Sequence, residues 1–214
     1  MAQSKRKPLL KRTKRLDTSK TTSALSRLKA LGLFGIEEAK QAGVSQPTLS
    51  RWVSAGKIRR LGPGLYQHPE FNIPAEDLDY IIALSKFGPE SVIGGLTALF
   101  YHGLIEQVPG RVWVMVPYSV KTSDPLYRCI RTKNDPKLGI EEHKFFRITN
   151  LERTLVEAFR YSTKIGLRVA LQATRTALKE KRTTLQKILK QAKALRLEMS
   201  IERHWESIIP ESQT

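Results

Sequence analysis

The chain is poor in cysteine: Cys129 is the only one in 214 residues, so no internal disulfide can form, and no Cys or His neighbours it at zinc-site spacing. There is no apolar run of transmembrane length, no lipidation signal and no signal-peptide core, so a soluble, cytoplasmic protein without membrane contact is expected. Neither GxxxxGKS nor GxGxxG surrounds Gly94-Gly95, so these read as packing glycines rather than a phosphate cradle. Nothing calls for a cofactor or a metal. Acidic residues are the other shortage, 20 Asp and Glu against 37 Lys and Arg, a net charge of +17.

That charge is unevenly spread. Residues 1–70 carry 15 basic and 4 acidic residues, residues 71–126 carry 3 and 6, and residues 127–214 carry 19 and 10, for nets of +11, −3 and +9. A near-neutral middle between two basic ends suits a protein that meets a polyanion, with fast encounter and strong salt dependence.

The segment Gly35–His68 explains one of those ends. Ile36, Ala39 and Ala42 recur at helical spacing and stop at Gly43, a residue suited to a left-handed C-terminal cap. A second helix restarts with Ser45 as its expected N-cap and Pro47 in its first turn, buries Leu49, Trp52 and Val53, and ends at Gly56. Its other side presents Gln46, Thr48, Ser50, Arg51 and Ser54. Lys57–Leu61 and Leu65–His68 are β-prone runs around the turn Gly62-Pro63-Gly64. Helix, turn, helix and basic hairpin make a winged helix-turn-helix, which puts its second helix in the major groove and its wing on phosphate. The DNA-binding candidates are therefore Ser45, Gln46, Thr48 and Arg51 on the helix, with Lys57, Arg59 and Arg60 on the wing.

The composition shift near residue 70 divides the chain. Residues 1–22 read as a basic flexible arm, which either tracks phosphate or is merely solvated; residues 23–70 as the DNA-binding domain; and residues 75–214 as a second domain, after a linker over Pro69–Pro74. Leu25, Leu28 and Leu31 form a short helix under the helix-turn-helix. In the second domain, Leu78, Ile81 and Ile82 mark a helix, and Arg111–Pro117, Leu126–Thr132 and Lys144–Ile148 read as strands of a small antiparallel sheet.

From Thr149 onward the pattern is helical. Thr149 with Glu152 and Thr183 with Gln186 fit capping boxes, Leu167–Lys181 is amphipathic, and Ile201–Ile209 makes a final helix with Trp205. The expected fold class is α+β, a winged helix followed by a mixed domain with a small sheet and a C-terminal helical bundle. The basic residues Lys179, Lys181, Arg182, Lys187 and Lys190 read either as a solvated face or as a surface for an acidic partner or nucleic acid.

The order of helix-turn-helix, Gly64-Leu65-Tyr66 wing, Leu99–Leu104, Thr149–Tyr161 (TNLERTLVEAFRY) and Lys164–Ala173 (KIGLRVALQA) resembles the AbiEi family over residues 24–209. These are antitoxins of type IV toxin–antitoxin systems. The resemblance implies a bacterial autorepressor that binds operator double-stranded DNA, with inverted repeats in its own promoter. It also implies a C-terminal domain that counters a nucleotidyltransferase-like toxin without a stable complex, so the five basic residues become the candidate antitoxin surface. No catalytic residues are expected. The basic arm departs from the family pattern. Two other readings stand beside this one: a generic winged-helix regulator, and a metal-dependent nuclease in which Glu142-His143-Lys144 with Asp124 or Asp135 imitates a D…ExK site.

Overall fold

The computed structural model describes residues 18–208, with side chains from residue 22. It is mixed α/β, and the chain divides into two compact units between Asn72 and Ile73.

In the first unit, α1 (Thr18–Leu31) runs through a stretch that contains neither Gly nor Pro. It starts inside the arm expected over residues 1–22, whose residues 1–17 lie outside the described residues. Ala24 and Leu28, one turn apart, are buried, whereas Leu31 at the helix end is exposed and Leu25 half-buried, which corrects the expected Leu25/Leu28/Leu31 face. Strand β1 (Leu33–Gly35), α2 (Ile36–Gln41), α3 (Gln46–Ser54), β2 (Arg59–Gly62) and β3 (Leu65–Gln67) follow.

Helices α2 and α3 end alike. Val44 N–H donates to Ala39 O and Gly43 N–H to Lys40 O; Lys57 N–H donates to Trp52 O and Gly56 N–H to Val53 O. Both are the reciprocal pair of bonds that needs a left-handed residue just past the helix, supplied by Gly43 at φ +80° and Gly56 at φ +67°. The helices pack on an antiparallel three-stranded sheet of order β1-β3-β2. Leu28, Phe34, Ala39, Val44, Leu49, Trp52, Ile58 and Tyr66 form one core, with the Phe34 and Tyr66 rings stacked at 5.9 Å. The third strand was not expected, because three residues between a helix and a helix carry no period to read.

The second unit opens with α4 (Ala75–Phe87), which buries Tyr80, Ile81, Ala83 and Leu84, with Leu78 and Ile82 only half-buried. Next come β4 (Val92–Ile93), α5 (Gly95–Tyr101), β5 (Val112–Val116), β6 (Tyr127–Arg131), β7 (Ile140–Glu142) and β8 (Arg147–Thr149). Their sheet has the order β6-β5-β4-β8-β7 and is mixed: β4 pairs with β8, and β5 with β6, in parallel. This corrects the expected antiparallel sheet. The central strand β4 is only two residues long and was invisible as a strand, yet it joins the two halves. Gly94 and Gly95 lie against β5, where an added Cβ would stand 2.8 Å from Met115 and 2.6 Å from Trp113. Close packing therefore sets both glycines.

Helix α6 (Leu151–Arg160) is packed by α5, α8 (Leu167–Lys179), α9 (Leu185–Leu195) and α10 (Glu198–Glu202), and every residue from Arg153 to Phe159 is buried. Both expected capping boxes are displaced by one residue. Asn150 caps α6 by accepting from Arg153 N–H at 2.9 Å, because Thr149 is the last residue of β8; Thr184 caps α9 by accepting from Lys187 N–H at 3.3 Å, while Thr183 is buried and donates to Glu152 at 2.7 Å. The final helix expected over Ile201–Ile209 is instead α10 and α11 (Trp205–Ile208), split at Arg203-His204, with Ile209 outside the described residues. A four-residue helix, α7 (Ser162–Ile165), joins α6 to α8.

Candidate nucleic-acid interface

Leu49 and Trp52 anchor α3 in the core and leave Gln46, Ser50, Arg51 and Ser54 exposed, with Thr48 half-buried. Ser45 stands at the N-cap but its side chain makes no capping bond, contrary to expectation. Its Oγ meets Thr48 Oγ1 at 2.9 Å instead, and the Ser45 carbonyl takes the Thr48 and Leu49 N–H groups. Arg51 folds back along its own helix, Nε donating to Pro47 O at 3.3 Å and Nη2 reaching Thr48 Oγ1 at 3.5 Å. The Ser50 and Ser54 hydroxyls donate to carbonyls one turn back.

The hairpin begins later than expected, at Arg59, because Ile58 is 1% exposed and is spent as a core anchor. Lys57 is exposed in the loop before it. Arg59 lies opposite Gln67 and Arg60 opposite Tyr66, so the two exposed arginines leave β2 on opposite faces. Arg60 Nε also donates to Gly62 O at 3.3 Å, beside the register shift between Arg60 and Gly62.

No Asp or Glu occurs between Glu38 and Glu70, so α3 and the hairpin are free of acidic side chains. The flanking acids are engaged. Glu38 accepts from Gly35 N–H at 2.9 Å, and Glu70 pairs with Lys29, whose hydrogen bond and charge hold its carboxyl below the ordinary 4.5. An α-helix of polar side chains and one arginine beside a basic edge strand is a shape that can enter a groove and touch its walls.

Residues 22–69 match the model of the family described as transcriptional regulator, AbiEi antitoxin. No curated protein matches the chain. The AbiEi match covers the first unit, from within α1 to just past β3, and contains all seven of the DNA-binding candidates. That unit is similar to transcriptional regulators of the AbiEi antitoxin type, and no described helix is long and apolar enough to cross a membrane.

The candidate residues outside the AbiEi match fall into two groups. Lys179 closes α8, Lys181 sits in the following turn at φ +56°, Arg182 pairs with Glu180 at 3.7 Å, and Lys187 and Lys190 are exposed three apart on α9. Arg168, Arg175 and Lys179 flank Leu167 and Leu171 on α8, and Arg175 Nε donates to Ser207 O at 2.9 Å.

The nuclease-like residues Asp124 and Asp135 are held by other partners. Asp124 is held by Lys86 and by Leu126 N–H, which keep its carboxyl below the ordinary range, and Asp135 accepts from Lys137 N–H at 2.8 Å. Glu142 is exposed at the end of β7, and His143 stacks on Phe146 at 4.4 Å with Nε2 3.1 Å from the Tyr101 hydroxyl. Buried His102 binds Thr149 O at 2.8 Å. Among the described residues no group of three or more His, Cys, Asp and Glu is placed to hold a metal ion.

Sequence reasoning missed the buried ion pair of α6. Arg153 and Glu157 are 0% and 1% exposed and bonded at 3.1 Å, four residues apart. Their spacing was visible as a helical pair, but only the packing of α6 on all sides makes it internal.

Proposed function

We propose that the chain is a non-enzymatic antitoxin and autorepressor. Its first unit acts as a winged helix, with α3 in the major groove of operator DNA and the β2–β3 hairpin on phosphate; its second unit counters a nucleotidyltransferase-like toxin without a stable complex. The observation that carries this reading is the run without Asp or Glu between Glu38 and Glu70, which exposes Arg51 on α3 and Arg59 and Arg60 on β2 inside the segment that matches the AbiEi antitoxin regulators. Gln46, Thr48 and Arg51 read base edges, Gln and Arg being the residue types that make paired hydrogen bonds to adenine and guanine, while Lys57, Arg59 and Arg60 contact phosphate and Ser45 lies at the helix start beside them. Inverted repeats in its own promoter are the expected operator, since helix-turn-helix proteins commonly read two half-sites with two copies.

Residues 23–70 on this account are the DNA-binding domain and residues 75–214 the antitoxin domain. The second unit has its own core of Val92, Leu99, Trp113, Met115, Leu155, Val156, Phe159 and Ile188, which supports independent folding. The test is a fragment of residues 73–214 beside the full chain. The fragment should be folded by circular dichroism and rescue growth when the toxin is induced, yet neither repress a promoter reporter nor shift operator DNA. Failure of the folded fragment to rescue would refute the division of labour. Alanine at Lys179, Lys181, Arg182, Lys187 and Lys190 together should abolish rescue and leave repression intact; retained rescue would mean that this face is only solvated.

A further inference from the structure

One cleft of the second unit, of about 410 Å³, is lined by Arg153 of the buried ion pair and lies outside the segment of the DNA-binding candidates. Its lining comes from three places. Glu90 and Val92 lead into and form part of β4, Met115–Tyr118 close β5, and Thr132–Pro136 follow β6. Arg153 of α6 completes it. Val92, Met115 and Val116 are buried and make an apolar floor, while Tyr118 is 57% exposed at the surface with Lys133 Nζ 5.7 Å from its ring centre.

The arginine is what gives the cleft a chemistry. Arg153 is fully buried; Nε donates to Glu157, and Nη1 donates to Leu138 O at 2.6 Å and Asp135 O at 3.2 Å. Among the described residues Nη2 has no hydrogen-bond partner, nor has Gln191 Nε2. A buried guanidinium nitrogen left unpaired costs free energy that a bound anion would recover. Burial pushes the Glu157 carboxyl up, against the opposing pull of Arg153 and Asn134. The Asp135 carboxylate is turned to Lys137 N–H.

We propose that this cleft is a binding site for a mononucleotide. Its volume lies in the ~300–1,000 Å³ range of small-molecule sites. The exposed Tyr118 ring offers a stacking face for a base, Arg153 and Lys133 offer positive charge to a phosphate, and Glu90 is an acceptor for a ribose hydroxyl. An inorganic anion would use the cations but leave the aromatic face and the apolar floor unfilled. No glycine-rich loop takes part, which is why the cleft has no motif in the sequence.

Titration calorimetry of the full chain with AMP, ADP and ATP, with inorganic phosphate and adenosine as controls, tests this. Saturable binding of at least one nucleotide, tighter than either control, is expected. Tyr118→Ala should weaken it by roughly fivefold or more, the loss of one stacked base, and Lys133→Ala by roughly tenfold, the loss of one charged contact. Both residues are on the surface, so these variants should keep the wild-type melting temperature. Arg59→Ala/Arg60→Ala, in the other unit, should bind nucleotide as wild type does. The proposal is overturned if no nucleotide binds at millimolar concentration, if phosphate alone binds as tightly, or if binding is lost in the Arg59/Arg60 variant but kept in the Tyr118 and Lys133 variants.

Discussion

Arg60 stands directly across the β2–β3 ladder from Tyr66, and Tyr66 stacks on Phe34 within the core of the first unit. That pairing puts Arg60 on the helix-facing side of the sheet and its neighbour Arg59 on the other.

The two arginines should therefore contribute unequally to DNA binding. Each phosphate contact steepens the dependence of log K on log salt by about 0.9, so Arg60→Ala should flatten the slope by about that amount and Arg59→Ala by less. The triple variant with Lys57→Ala should weaken operator and unrelated DNA alike. Slopes from anisotropy titrations at several salt concentrations check this. Equal losses for Arg59 and Arg60 would show that the hairpin inserts with both faces in contact.

Arg51 should act differently. Its guanidinium lies against Pro47 O and Thr48 Oγ1 on the exposed side of α3, next to Gln46 and Thr48 rather than on the hairpin. Arg51→Ala should cost about 1 to 3 kcal/mol on operator DNA and relax one position of the site, with little change on unrelated DNA. Gel-shift titrations with single-base operator variants measure it; an unchanged specificity ratio would remove Arg51 from base reading.

How far these residues were legible depended on what sets them. The α2–turn–α3 segment was read to within a residue, because Gly43 and Gly56 impose backbone geometry that is local and leave a fixed mark in the sequence. The caps at Asn150 and Thr184 were missed by one residue, since in each case a neighbouring threonine offers the same chemistry and only the exit of the preceding segment decides between them. Strands β5 and β6 were legible from their alternation, but the mixed order of their sheet was not. Strand β4 has two residues, and its partners come from 21 to 55 positions later in the chain, a pairing that no local period encodes. Ile58 looked like a strand residue and is a core anchor, which moved the start of the hairpin to Arg59.

The Arg153–Glu157 pair carries a pH signature. Glu157 is buried and its carboxyl is raised above 4.5, chiefly by desolvation. The folded protein then holds this proton more tightly than the unfolded chain, so the contribution of Glu157 to stability is full below 4.5 and decreases as pH rises through the folded-state value. Thermal melts of wild type and Glu157→Gln across that interval should show the wild-type advantage shrinking as pH rises. A difference that is flat, or that grows with pH, would contradict a raised carboxyl.

Whether the first unit reads a DNA sequence is decided by binding of the full chain to its own promoter fragment against a scrambled fragment of equal length, at one fixed, near-physiological salt concentration. Specific regulators bind their sites about 10³-fold or more tighter than unrelated DNA, and a ratio of that order is expected here. Equal affinities for the two fragments, with both lost together as salt is raised, would mean that the basic face only holds phosphate and that the chain is no operator-reading repressor.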